Sequence, residues 1–343
     1  MKIRIYIILF SVLILGCEKT VTNFEVPDKP PKLVIQGRLI ADSLCRINVS
    51  KSLSFNDELQ YIPVEDAALR LFKGQSEIGN FAYQSDGWYL NSDTGFSEPD
   101  NYRLDVGADG YKGTTTHLYI PDKPKFVIER PEIYIGIYPD CLYCPPIFNL
   151  VVDIIVDDDR EKENYYKLEI LRNYIDDYNY SDYYNPSYGY ILVAESNLGM
   201  VSSNLAIEVT GHNSRYEIRS QGGDARGDAF IFSDRYFNGE HYAITVFVDI
   251  NPVFNSDTTS GKNYKVWFRL SETDENYYEY AKNMARINQT EGNPLVEPVT
   301  VYSPVENGFG LVYGMNFKQD TLDLTDLEYS LDTIYLDGFN PYK

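Results

Sequence analysis

The amino-acid sequence predicts an all-β chain of two β-sandwich domains, the second carrying one helix. Three observations carry that expectation. Between residues 32 and 122 the chain reads as short alternating runs separated by turn residues, the spacing of a sandwich. Period-two runs resume after residue 146. The apolar spacing turns helical only once, near residues 273–289, where residues three and four apart share a face.

The runs of the first half are KLVIQGRLI, SLCRINVS, AALRLFK, EIGNFAY, GWYL, NYRLDVG and TTTHLYI, punctuated by Gly74, Gly79, Asp86-Gly87, Pro99 and Asp109-Gly110. Ala67, Leu69 and Leu71 fall on one face of their run, and Tyr102, Leu104 and Val106 on one face of theirs. That is what packing one sheet on another requires. Cys45 shares a face with Ile47 and Val49 and reads as a small buried apolar residue. Residues 123–146 are Pro-rich and read as a linker with some extended structure. A C-terminal β-rich domain then spans 147–320, through IFNLVVDIIVDDD, NYYKLEIL, YGYILVAE, DAFIFSD, HYAITVFVDI and NYKVWFRLS. In SETDENYYEYAKNMARINQ, Ser271 or Thr273 is placed to cap a helix, and the acids after them suit its N-terminus. Tyr277, Tyr280, Met284 and Ile287 share a face, which reads as core rather than as a ligand platform. Residues 321–343 close the chain as a strand or tail.

Residues 1–16 carry an address. Lys2 and Arg4 precede an apolar run from Ile5 to Leu15. It is shorter than the ~20 residues that span a bilayer, and it suits a secretory signal. The end, Leu13-Ile14-Leu15-Gly16-Cys17, resembles a bacterial lipobox. That resemblance implies cleavage before Cys17 and its acylation, an anchor that meets the two-signal requirement for stable attachment. Residues 17–31 are polar and Pro-rich and read as a tether.

Composition excludes partners more firmly than it names them. The chain has 343 residues, 30 basic and 51 acidic, for a net charge of −21. Nucleic acid and anionic lipid surfaces both require a basic footprint, and neither is expected. His117, His212 and His241 are scattered, and none of the familiar hydrolase, phosphate-loop or metal-protease patterns occurs. No cofactor is expected. Cys141 and Cys144, followed by two prolines, are open to a small disulfide loop or to free thiols; the prolines deny the helix N-terminus that a redox pair uses. The acidic run Asp157-Asp158-Asp159 is open to calcium or to a solvated turn, and the absence of a calcium-loop spacing favours the turn. Residues 165–190 hold nine tyrosines among Asp and Asn. Tyr174, Tyr178, Tyr180, Tyr183, Tyr184 and Tyr188 offer broad rings with a polar tip, suited to contact with a ligand or partner. A Tyr-rich hairpin at a sandwich edge is the alternative.

Two resemblances extend this reading. The pattern V-x-D-A-x-L-x-L, D-G-W-Y and Y-x-L-x-V-x-A-x-G-Y between Val64 and Tyr111 looks like the prealbumin-like or carboxypeptidase-regulatory-like sandwich, an Ig-like architecture. The later combination is F-S-D-R-Y-F-N-G, Y-x-Y, G-N-P-L-V-E-P-V and S-P-V-E-N-G-x-G-L-V-Y-G. Its carrying residues include Phe232, Asp234, Gly239, Tyr278, Tyr280, Asn307, Gly308 and Gly310. With it the chain resembles the Bacteroidota outer-membrane lipoproteins catalogued as domain of unknown function 4249. The resemblance implies a lipid-anchored outer-membrane protein, often encoded beside a TonB-dependent receptor, and it carries no catalytic residues. Glu18-Lys19 departs from the acidic surface-export signals of that phylum, so both faces of the membrane stay open. The expected function is a non-enzymatic accessory that captures ligand for, or covers, such a transporter. A stand-alone glycan- or protein-binding lipoprotein is the second reading, and a hydrolase with an unrecognised site the third.

Overall fold

The computed structural model describes residues 29–54, 57–91, 99–136, 147–176, 192–212, 215–218, 225–250, 265–293, 297, 299–325, 327 and 329–330. Its strands in chain order are β1 Leu33–Ile40, β2 Cys45–Lys51, β3 Ala68–Lys73, β4 Ser76–Tyr83, β5 Trp88–Asn91, β6 Asp100–Gly107, β7 Thr114–Ile120 and β8 Lys125–Gly136. They continue with β9 Ile147–Asp157, β10 Tyr165–Asp176, β11 Leu192–Asn197, β12 Met200–Ser202, β13 Ile207–His212, β14 Arg215–Ile218 and β15 Ala225–Gly227. The last are β16 Ala229–Ser233, β17 His241–Asp249, β18 Lys265–Thr273, β19 Phe309–Asp323 and β20 Tyr329–Ser330, with helix α1 Glu275–Thr290 between β18 and β19. The fold is all-β, as expected. Among the described residues no helix is long and apolar enough to cross a membrane.

One large sheet runs through both halves in the order β14-β13-β16-β10-β18-β19-β1-β2-β5-β4-β3-β6-β7, with β11 on β10. A smaller sheet has the order β15-β12-β17-β9-β8-β20. The first half closes on itself around Leu33, Ile35, Ile47, Leu71, Tyr102 and Leu104. In the second half the smaller sheet covers one face of the large one over Val152, Ile154, Leu168, Phe230, Val246 and Phe268. Helix α1 covers the opposite face, burying Tyr277, Tyr278, Ala281 and Ala285 against Val209 and Ile231. Phe230 and Phe232 therefore face one core while Ile231 between them faces the other. A strand covered on both sides reads as a continuous apolar run, and AFIFS is buried throughout.

Strand β19 joins the halves. Its first part, Phe309–Met315, pairs in parallel with β1, and its second, Met315–Asp323, pairs antiparallel with β18. The exchange of partner demands close backbone approach. A Cβ on Gly310, where φ is +112°, would lie 2.0 Å from the Ile35 carbonyl oxygen, and one on Gly314 would lie 2.0 Å from that of Tyr119. The family-like glycine Gly310 is thus a requirement of the seam between the halves.

Asp274 sits at the same point. It caps α1, with Oδ1 accepting from Tyr277 N at 3.1 Å. Its Oδ2 accepts from Gly314 N of β19 at 2.9 Å and from Tyr119 N of β7 at 3.3 Å. The expected caps, Ser271 and Thr273, are instead buried residues of β18, because the strand runs up to the helix with no intervening loop. The buried face of α1 is accordingly Tyr277, Tyr278, Ala281 and Ala285, and Tyr280 is left half-buried beside it.

Two expected boundaries shift. The stretch 123–146, read as a linker, contributes β8 to the smaller sheet over Lys125–Gly136. Pro131 is tolerated because the β8–β9 register shifts between Glu129 and Glu132, a bulge that asks no ladder hydrogen bond of it. Strand β19 runs past residue 320, and β20 pairs in parallel with β8.

Candidate binding cleft

The expected site residues lie apart. Cys17, Cys141 and Cys144 fall outside the described residues, as do Tyr178, Tyr180, Tyr183, Tyr184 and Tyr188. Tyr174 lies on β10, in register with Ala194 of β11. Tyr165 and Tyr166, from the same segment, are structural: Tyr165 stacks on Tyr278 with ring centroids 4.6 Å apart, and Tyr166 is buried. Cys45 is buried in the first core, and burial pushes its thiol up to about 12.

The acidic run does not converge. Asp157 faces His241 Nδ1 at 3.3 Å, and Asp159 Oδ1 accepts from Glu161 N. Asp158 turns inward, where Oδ1 accepts from the Tyr166 hydroxyl at 2.6 Å and Oδ2 from Gly239 N at 2.7 Å. Among the described residues no three His, Cys, Asp or Glu side chains could hold a metal ion together. Asp158 instead belongs to a buried polar network. Asp234 Oδ2 accepts from Asn164 N at 2.9 Å, and Asn164 Nδ2 donates to Glu272 Oε1 at 2.7 Å. Desolvation raises the Asp158 carboxyl, lifts Asp234 to about 6, and lifts Glu272 to about 7. Beside it, Glu208 accepts from the hydroxyls of Ser233 and Tyr278. Asp234, Gly239 and Tyr278 of the family-like motifs therefore hold strand ends together.

A solvent-facing cleft of about 470 Å³ opens elsewhere, where the large sheet continues past the edge of α1. Its size falls in the ~300–1,000 Å³ range of small-molecule sites. Strand register builds it. Tyr313 of β19, Arg38 of β1 and Arg46 of β2 lie side by side in one cross-strand row. Leu311, Gln36, Asn48 and Trp88 form the next row. Alternation along β1 puts Leu33, Ile35 and Leu39 in the core and leaves Gln36 and Arg38 exposed on the opposite face. Tyr280 of α1 closes one side, and Trp88, 36% exposed, stands at the other. Ile40 and Leu44 line the β1–β2 end.

The electrostatics of this cleft run against the rest of the molecule. No Asp or Glu lines it, although the chain carries a net charge of −21. Arg38 and Arg46 stand directly opposite each other, an arrangement that costs stability in a sheet. Among the described residues no carboxylate pairs with either. Arg46 lies over the Trp88 ring, 5.0 Å from its centroid. Arg38 lies against the Tyr313 hydroxyl, which burial pushes up to about 12 while the guanidinium opposes the shift. Arg46 is thus placed by a ring contact and Arg38 by a tyrosine hydroxyl, and both line the cleft. Neither arginine stands out in the sequence. The signal that could have found them is their placement at matched positions on the polar faces of two neighbouring strands.

A family model described as Domain of unknown function (DUF4249) matches residues 19–321. No curated protein matches the chain. The matched span covers both halves, the seam glycines, the buried acid network and the cleft. The chain belongs to the DUF4249 family.

Proposed function

We propose that this protein is a lipid-anchored outer-membrane binding protein, a non-enzymatic accessory that captures ligand for a TonB-dependent transporter or covers its mouth. The observation that carries the reading is the cleft: an open recess with rings on two sides and guanidinium groups on its floor, set on strands that the core fixes. Such a surface grips a ligand without a reacting group. Among the described residues, two of the three histidines face carboxylates. His212 faces Asp228 at 3.1 Å, His241 faces Asp157, and His117 contributes its carbonyl to Asn276. The lipobox-like end at Cys17 supports the location, and the polar, Pro-rich composition of residues 18–31 supports a tether to it.

The test is dependence on Cys17. Wild-type chain expressed in its native cell takes up labelled palmitate and fractionates with the outer membrane. A Cys17→Ala chain does neither. Palmitate labelling and membrane retention in the variant would remove the anchored reading.

A further inference from the structure

We infer that the cleft binds a small organic acid in which a carboxylate is joined to a ring. This deepens the capture reading and rests on it. The two guanidiniums face each other across β1 and β2 with no described acid between them. An anion placed there relieves a repulsion that the empty sheet carries, and planar guanidinium forks match the two oxygens of a carboxylate. Repulsion of this kind is retained where a ligand uses it. Within a chain of net charge −21, this recess is lined by two guanidiniums and no carboxylate, so its own charges favour an anion locally.

The ring follows from the walls. Trp88 and Tyr280 stand on opposite sides, and Tyr313 lies between β1 and the helix. Aromatic faces stack on planar rings and on the apolar faces of sugar rings. Gln36, in the row beside Arg38, adds a donor and an acceptor for the polar edge of such a ring. A volume of about 470 Å³ holds one or two six-membered rings. Two sources share this chemistry, an acidic sugar and an aromatic acid.

The full mature chain is titrated with digalacturonate and with N-acetyltyrosine, and in parallel with their methyl esters and with inorganic phosphate. Binding is read by calorimetry and by Trp88 fluorescence. One of the two carboxylates binds, its ester binds about tenfold more weakly or worse, and phosphate alone binds no better than the ester. Arg38→Ala and Arg46→Ala each weaken the carboxylate about tenfold, the scale of one charge-assisted contact. Arg46→Lys, which keeps the charge but loses the fork, falls between. Digalacturonate as the binder assigns an acidic sugar, and N-acetyltyrosine an aromatic acid. Equal binding of acid and ester, unchanged affinity in folded arginine variants, phosphate binding as tight as the carboxylate, or no binding of either acid at millimolar concentration would each overturn the inference. Failure here with a receptor still recovered alongside the lipoprotein leaves the capture reading standing. Carboxylate binding with no receptor leaves this inference standing and removes the accessory role.

Discussion

Removing the Asp274 carboxylate should loosen both halves of the molecule together. Its Oδ1 caps α1, and its Oδ2 holds backbone N–H groups of β19 and β7. Loss of an N-cap costs about 1 kcal/mol. Each backbone N–H left buried without a partner costs about 1–3 kcal/mol. Burial lifts the carboxyl to about 7 against the N–H groups that lower it, so part of this gain is offset by the cost of burying it. Asp274→Ala should therefore destabilise by about 2–5 kcal/mol, a large share of the ~5–15 kcal/mol typical of a domain. Asp274→Asn can keep an oxygen toward Gly314 and Tyr119 but turns its NH₂ toward Tyr277 N. It should lose chiefly the cap, about 1–2 kcal/mol. The chain offers a reporter in each half, Trp88 on β5 and Trp267 on β18. Urea unfolding is followed in Trp88→Phe and Trp267→Phe backgrounds. Both reporters should shift to lower urea by the same free energy. A shift below about 0.5 kcal/mol, the scale of an ordinary surface change, would refute the reasoning. So would a transition that moves for one tryptophan alone.

Other perturbations follow from the same contacts. Asp158, Asp234, Glu272 and Asp274 are all raised by desolvation. Their folded state binds protons more tightly than the unfolded chain. The stability they contribute is fully present below pH ~4 and is lost as pH rises toward ~7, by about 1–3 kcal/mol for each of the larger shifts. The urea midpoint should fall between pH 5 and pH 7.5, and a rising midpoint would contradict the burial of this network. Gly314→Ala places a methyl group against the Tyr119 carbonyl and should cost about 2 kcal/mol or more, read as a lower thermal midpoint; an unchanged midpoint would show that the seam can part freely. Arg38→Thr removes the cross-strand like-charge pair and should leave the protein as stable or more stable, by up to about 1 kcal/mol, while weakening carboxylate binding about tenfold. Clear destabilisation would assign Arg38 a structural role.

Local patterns in the sequence reached as far as local structure does. LVIQGRLI alternates, and β1 forms with Leu33, Ile35 and Leu39 inward. The helix was legible from the change of period, but its cap was not. Ser271 and Thr273 are good capping residues, yet the ladder with β10 and β19 claims both for β18, and the cap passes to Asp274. The union of the halves through β19 was out of reach, because it depends on Val34 meeting Phe309 across nearly the whole chain. The cleft follows from that same register. Arg38 and Arg46 meet through a hairpin, but Tyr313 and Tyr280 join them only because β19 lies beside β1. The Tyr-rich segment drew the eye by composition, whereas Tyr165 and Tyr166 within it serve packing.

The proposed accessory role rests most directly on which proteins accompany this one in the outer membrane. Tagged chain is recovered from native outer membranes in mild detergent, and co-purifying proteins are identified and quantified by mass spectrometry. The proposed accessory role predicts a TonB-dependent receptor in fixed stoichiometry with the protein. Recovery of the protein alone would contradict the accessory role and leave a free-standing binding protein in its place.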